Sequence, residues 1–220
     1  MEPLDRSSIW PYEDGDPGAF YYQRYRHPTG AEAERALGEL EGGTALLYPS
    51  GAGATTALVL ALLEPGQTIA LAHDAYYGTG VLFRELTRWG LRFVEYDQTG
   101  SPPDADLVWI ESPSNPLLTL PDFDAAAAHP APVVVDSTAS TPVYLRPLER
   151  GADFVLHSAT KYLGGHHDLT AGAVVCRDPE QAARLLEFRT RSGIVAAPDV
   201  AWLLLRGLKT LEVRMERHTA

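Results

Sequence analysis

The chain has 220 residues, 45% hydrophobic and 21% charged, with a formal net charge of −11. That length can bury a sizeable core as one domain, or one domain with an extension. An acidic total without a run of Lys or Arg argues against a nucleic-acid surface, and the longest apolar run, Ala57 to Leu63, is too short to cross a membrane. The N-terminus shows no signal-peptide pattern, which predicts a cytoplasmic protein. The single Cys176 allows no disulfide framework and reads as a buried small hydrophobe.

Residues 1–29, rich in Tyr, Pro, Gly and Asp, read as an irregular arm, and FYYQRYRHPTG within it concentrates Tyr21, Tyr22, Arg24, Tyr25 and Arg26. Gly30 to Leu40 follows helical spacing and stops at Gly42 and Gly43. Short apolar strands then alternate with helices. Ala45–Tyr48 leads into PSGAG and a helix from about Ala54 to Leu63; Thr68–Ala72 leads into HDAYYGTG and a helix from about Val81 to Trp89. Leu91–Tyr96 and Leu107–Ile110 follow, the latter entering ESPSNP, and Val133–Val135 ends in Asp136. Phe154–Leu156 ends in HSATK, Ala173–Cys176 is the last strand, and a helix runs from about Val200 to His218, with Trp202, Leu203, Leu205 and Leu208 available to a partner domain. This alternation predicts an α/β fold: three layers, with a mostly parallel sheet covered by helices on both faces.

In open sheets of that kind the ligand sits beyond the carboxyl ends of the strands. The polar residues of interest fall there: Ser50 and Gly51, Tyr77, Asn115, Asp136, and Ser158 with Thr160 and Lys161. Lys161 is one of two lysines against sixteen arginines, and only lysine offers an amine that can lose its proton and attack a carbonyl. Ser158 and Thr160, with the free N–H groups of Gly51 and Ala52 at a helix start, form a phosphate cradle. Asp136 can keep a pyridine nitrogen protonated, and Tyr77 can stack on the ring. Aldehyde, phosphate and pyridine nitrogen together describe pyridoxal 5′-phosphate. His27, His166 and His167 lack a Cys or carboxylate at ligand spacing, so no metal is expected.

The segment VVVDSTASTPVYLRPLERGADFVLHSATKYLGGHHD resembles the signature of the Cys/Met-metabolism pyridoxal-phosphate enzymes, a family of cystathionine synthases and lyases, methionine γ-lyase and O-acylhomoserine sulfhydrylases. LEGGTALLYPSGAGA, HDAYYGTG, ESPSNPLL and LLLRGLKTLEVRMERH are similar to further family motifs. The resemblance implies the large domain of the aspartate-aminotransferase-like fold type I over residues 30–220, an arm over 1–29, and a C-terminal small domain missing from the chain.

It also implies β- or γ-elimination or replacement on a small amino-acid substrate such as cystathionine, methionine or O-acylhomoserine, through a Schiff base at Lys161. Asp136 would pair with the ring nitrogen; Gly51, Ala52, Ser158 and Thr160 would bind phosphate; Tyr77 would stack and assist elimination; Asn115 would lie near the phenolic oxygen. Tyr22 and Arg24 match a pair that reaches the neighbouring subunit's phosphate, implying a homodimer or homotetramer. Arg26 and His27 stand where the family has Gly and Asn, Thr79 and Gly80 where it has Gly and Thr, and Ala52 where it often has Met. The arginine that grips the substrate's carboxylate belongs to the absent domain, leaving Arg191 or Arg214 as accidental substitutes. The alternative is a pyridoxal-phosphate-binding dimeric module without its own turnover.

Overall fold

The computed structural model describes residues 3–12 and 14–220. In chain order the elements are α1 (Pro28–Glu41), β1 (Thr44–Tyr48), α2 (Gly51–Leu62), β2 (Thr68–Ala72), α3 (Tyr77–Leu86), β3 (Arg92–Tyr96), β4 (Leu107–Glu111), α4 (Phe123–Ala127), β5 (Val133–Asp136), α5 (Thr141–Tyr144), β6 (Phe154–His157), β7 (Gly172–Cys176), α6 (Pro179–Ser192), α7 (Pro198–Leu208) and α8 (Leu211–Thr219). The seven strands form one sheet in the order β1-β7-β6-β5-β4-β2-β3. β3, β2, β4, β5 and β6 pair in parallel, while β7 runs antiparallel to both β6 and β1. Because β7 reverses twice, β1 points the same way as β6, and their carboxyl ends share one edge of the sheet.

Both faces of the sheet are covered, which is why its strands read as unbroken apolar runs. On one face Trp109, Val134, Leu156 and Val174 pack with Leu58, Phe83 and Leu185 from α2, α3 and α6. On the other, Val155, Ala173 and Val175 meet Leu37, Leu204 and Met215 from α1, α7 and α8, while Val108, Ile110 and Val135 meet Ala126 of α4. The free edge of β1 is closed by side chains: Leu47 N–H donates to Glu34 Oε1 at 3.0 Å, and Arg189, paired with Glu34, donates to the Leu47 carbonyl at 2.9 Å. An edge satisfied this way does not offer itself to another strand at that point.

Helix boundaries differ from the sequence reading for local reasons. α1 starts two residues before Gly30, because Pro28 is suited to a first helical position and the His27 side chain caps it, Nδ1 accepting from Gly30 N–H at 3.0 Å. α2 starts at Gly51, capped by Ser50 Oγ, which accepts from Gly53 N–H at 2.9 Å. α6 lacked a sequence expectation; its charged outer face hides the Ala182, Leu185 and Arg189 stripe that is buried. The final helix breaks in two at Lys209 and Thr210, and Leu205 is buried in this chain's own core. Among the described residues no helix is long and apolar enough to cross a membrane.

A buried hydrogen-bonded pair lies behind the sheet edge. His157, the last residue of β6, sets Nε2 2.6 Å from Glu41 Oε1 at the end of α1, and both side chains are fully buried. His157 Nδ1 and Glu41 Oε2 have no hydrogen-bond partner. Removing one member strands the other, whereas an apolar replacement of both leaves nothing unpaired. His157→Leu is expected to cost about 3 kcal/mol in chemical denaturation, and the double change Glu41→Leu/His157→Leu to recover most of it. Additive losses in that cycle would contradict the pairing.

Candidate active site

The carboxyl ends of β1, β4, β5 and β6 surround a cavity of about 420 Å3, within the ~300–1,000 Å3 range of small-molecule sites. Its wall brings together Ser50, Gly51, Ala52, Tyr76, Glu111, Asn115, Asp136, Ser158, Thr160 and Lys161. A wider groove of about 680 Å3 beside β1, between α1 and α6, contains none of the residues expected to act.

Lys161 lies in the turn that follows β6 and is exposed to the cavity. The turn is tied down on both sides. Ser158 N–H donates to Thr138 Oγ1 at 2.8 Å, and Thr160 Oγ1 donates to the Ala171 carbonyl at 3.1 Å while accepting the Ala171 N–H at 3.0 Å. In this structure the Thr160 hydroxyl clasps the lysine turn from the cavity wall, beside Ser158.

The cradle itself is formed by the first turn of α2 with Ser158. A Cβ on Gly51 would come within 2.9 Å of the Ser158 Cβ, so the helix start and the lysine turn touch without room for a side chain. Beneath them Gly172 opens β7, and a Cβ there would collide with the Ser50 carbonyl. Unpaired helical N–H groups at Gly51 and Ala52 point a partial positive charge into the cavity, suited to a phosphate.

Asp136 ends β5 and is 7% exposed. Burial pushes its carboxyl up, while hydrogen bonding to Thr138 and the neighbouring His157 hold it back; its Oδ1 accepts from Thr138 N–H at 3.0 Å. A carboxylate so short of solvent favours a cationic partner, and a protonated ring nitrogen is one. The donor amides at one end and this carboxyl at the other fit a ligand with phosphate and pyridine ends. With Lys161 between them, the residues present fit pyridoxal phosphate.

The aromatic wall differs from expectation. Tyr76 lines the cavity, whereas Tyr77 is 73% exposed and faces a neighbouring concavity with His73 and Arg84. Gly78 explains the choice: a Cβ on it would overlap the Tyr76 ring, so the ring folds over bare backbone. Counted from Asp74, the D-x-Y-G-G-T motif that HDAYYGTG resembles also puts its tyrosine at 76 and its threonine at Thr79, so Tyr77 takes the place of the first glycine and the reading of Thr79 and Gly80 as replacements is corrected. Asn115 lies on the cavity wall, its loop held by Ser114 Oγ donating to Asp74 Oδ2 at 2.7 Å.

Tyr22 and Arg24 do not line this cavity. Arg24 donates to the Thr190 carbonyl at 2.5 Å and lies against the rings of Tyr22 and Tyr25. Arg191 and Arg214 do not line it either: Arg191 pairs with Glu187 on α6, and Arg214 is engaged with backbone carbonyls, which removes both as accidental substrate clamps. Among the described residues no group of three His, Cys, Asp or Glu is placed to hold a metal ion.

Glu111 is the wall residue that the sequence reading missed, because it looked like the last residue of a strand. It pairs with Asp136 across β4 and β5 and is 5% exposed. Its Oε2 accepts the Tyr76 N–H at 2.5 Å, fixing the start of α3, and Gln98 brackets its backbone. Burial and then the Asp136 charge push its carboxyl from 4.5 up to about 8. Unfolded, Glu111 ionises near its ordinary value; folded, it keeps its proton, so the stability it contributes at low pH is lost as pH rises through that window. Glu111→Gln keeps an acceptor for Tyr76, and is expected to match the parent's melting temperature near pH 5 and exceed it near pH 8. Parallel melting curves across that range would contradict a neutral Glu111.

Comparison with known proteins agrees with this geometry. The model of the family described as Cys/Met metabolism PLP-dependent enzyme matches residues 2–220. Cystathionine gamma-synthase of Mycobacterium tuberculosis is 40% identical over 215 residues, covering 92% of this chain and 55% of its own. Cystathionine beta-lyase of Coxiella burnetii is 37% identical over 236 residues, covering 99% of this chain and 60% of its own. The crystal structure of cystathionine gamma synthase from Xanthomonas oryzae pv. oryzae in complex with cystathionine superposes with a TM-score of 0.91 at 38% identity, covering 96% of this chain and 58% of that one. The chain thus spans a little over half the length of these relatives, within the part that carries the fold type I sheet. With its sheet, its lysine turn and its family match in agreement, the chain belongs to the Cys/Met-metabolism PLP-dependent enzymes.

Proposed function

We propose that this chain is the cofactor-binding part of a cytoplasmic enzyme of sulfur amino-acid metabolism, acting by β- or γ-elimination or γ-replacement on cystathionine, methionine or an O-acylhomoserine. The observation that carries this reading is the convergence of Lys161, Asp136, Tyr76 and the α2 N-terminus on one cavity. Pyridoxal phosphate bound there supplies an electron sink for negative charge developing at the substrate's α-carbon.

The chain's own residues have separable roles. With the cofactor bound, the amides of Gly51 and Ala52, with Ser158 and Thr160, would hold the phosphate. Asp136 would serve the ring nitrogen and keep a proton on it. Tyr76 would cover the ring in the role expected of Tyr77, and Asn115 would serve the ring's oxygen edge. Lys161 would hold the cofactor's aldehyde and supply the amine that moves a proton at the substrate's α-carbon. Residues 30–220 act as the large domain, and a small domain of the whole protein supplies the substrate-carboxylate arginine. Tyr22 and Arg24 serve the cradle of a second copy in a dimer or tetramer, which their position away from this chain's own cavity supports.

A second reading, a cofactor-binding dimeric module without turnover, is favoured by one observation: among the described residues lining the cavity there is no arginine. Turnover separates the two. The purified protein, loaded with pyridoxal phosphate, is mixed with cystathionine, methionine or O-acetylhomoserine and assayed for 2-oxo acid, ammonia or thioether. Product that disappears in Lys161→Ala supports the first reading; bound cofactor without any product supports the second. Asp136→Asn is expected to depress turnover far more than cofactor retention, and equal activity would contradict its assignment.

A further inference from the structure

The C-terminal motif RGLKTLEVR reaches the lysine turn through one side chain. From α8, Arg214 spreads its guanidinium across three acceptors: Nη1 donates to the Tyr162 carbonyl at 2.7 Å, Nη2 to the Gly207 carbonyl at 2.7 Å, and Nε to Thr210 Oγ1 at 3.0 Å. Tyr162 directly follows Lys161. The contact is shaped on both sides. Gly165 has φ +70°, and its Cα lies so close to the guanidinium that a Cβ would overlap it. Gly207 brings α7 against the carbonyls of Leu163 and Gly164 with no room for a side chain. Segment 158–171 has no helix or strand of its own. Its own turn hydrogen bonds, such as Gly165 N–H to the Lys161 carbonyl at 2.8 Å, and the Thr160–Ala171 clasp fold it back on itself, and it is fastened from outside by Thr138 and, at the residue after the lysine, by Arg214.

We propose that Arg214 is a positioning residue for Lys161, holding the Tyr162 carbonyl so that the lysine side chain is aimed into the cavity. This rests on Lys161 being the cofactor's anchor. A planar fork with fixed donors suits that role, because three acceptors, one on the lysine turn and two at the junction of α7 and α8, fix its plane, which a lysine's single ammonium cannot reproduce.

The test compares Arg214→Met and Arg214→Lys with Arg206→Met. The last breaks the Arg206–Asp168 pair, which fastens α7 to the same segment without touching the residues around Lys161. Each protein is given pyridoxal phosphate and reduced with sodium borohydride, and cofactor fixed on the Lys161 peptide is followed by mass. Cofactor-free samples are melted, so that a loss of stability is read apart from a loss of aim.

Arg214→Met is expected to fix cofactor about tenfold more slowly than the parent, as a misaimed nucleophile does. Arg214→Lys should recover part of the rate, and Arg206→Met should match the parent. A parent-like rate in Arg214→Met, or an equal loss in Arg206→Met, would overturn the proposal. If Arg214→Met does not fold, Arg214→Lys against Arg206→Met decides: slower fixation in the former supports it, equal rates overturn it. A parent that fixes no cofactor on Lys161 would overturn the anchor and this inference together, whereas a competent parent with an unaffected Arg214→Met overturns this inference alone.

Discussion

The turn between β6 and β7 is the constraint from which the rest of the site follows. Among the described residues it carries the only exposed amine in the cavity, yet it has no helix or strand ladder to give it shape. The Thr160 hydroxyl clasps both groups of Ala171, the Ser158 amide is held by Thr138, and Arg214 takes the Tyr162 carbonyl. Each tie comes from a different element. Reversal of β7 is what brings Ala171 back beside Thr160, and the same reversal sets β1 and α2 next to the turn. The phosphate cradle and the lysine are neighbours because one strand runs backwards.

Electrostatically the cavity is a dipole. At one end the unpaired amides of α2 present partial positive charge; at the other two carboxyls stand side by side on β4 and β5. Burial resists two negative charges so close and pushes both carboxyls up, Glu111 to about 8, and a cation facing Asp136 would relieve that strain. A ligand with a phosphate at one end and a protonated ring nitrogen at the other is complementary to that field. Behind the strand ends the buried Glu41–His157 pair adds a further ionisable layer close to Asp136.

Most strands were legible because a sheet buried on both faces leaves continuous apolar runs, and the polar residues ending them marked the functional edge. Lys161, Asp136 and Gly51 stood out through residue type and place. What escaped depends on three-dimensional circumstances. Two adjacent tyrosines look alike in a sequence; only the bare backbone of Gly78 decides that Tyr76 turns inward and Tyr77 outward. The Thr160 clasp on Ala171 depends on a chain reversal eleven residues later. Glu111 reads as a strand end, and its raised carboxyl depends on burial and then on a register partner 25 residues away. The antiparallel direction of β7 left no mark in composition, and α6 was masked by its charged outer face.

The site stands on Lys161 and Asp136 meeting one small ring. A crystal structure of the protein grown with pyridoxal phosphate tests this most directly. The predicted result is continuous density from Lys161 Nζ to the cofactor's aldehyde carbon, the phosphate on the Gly51 and Ala52 amides, and an Asp136 oxygen within hydrogen-bond distance of the ring nitrogen. A ring bound elsewhere, or bound here with its nitrogen turned away from Asp136 and Lys161 unattached, would contradict it.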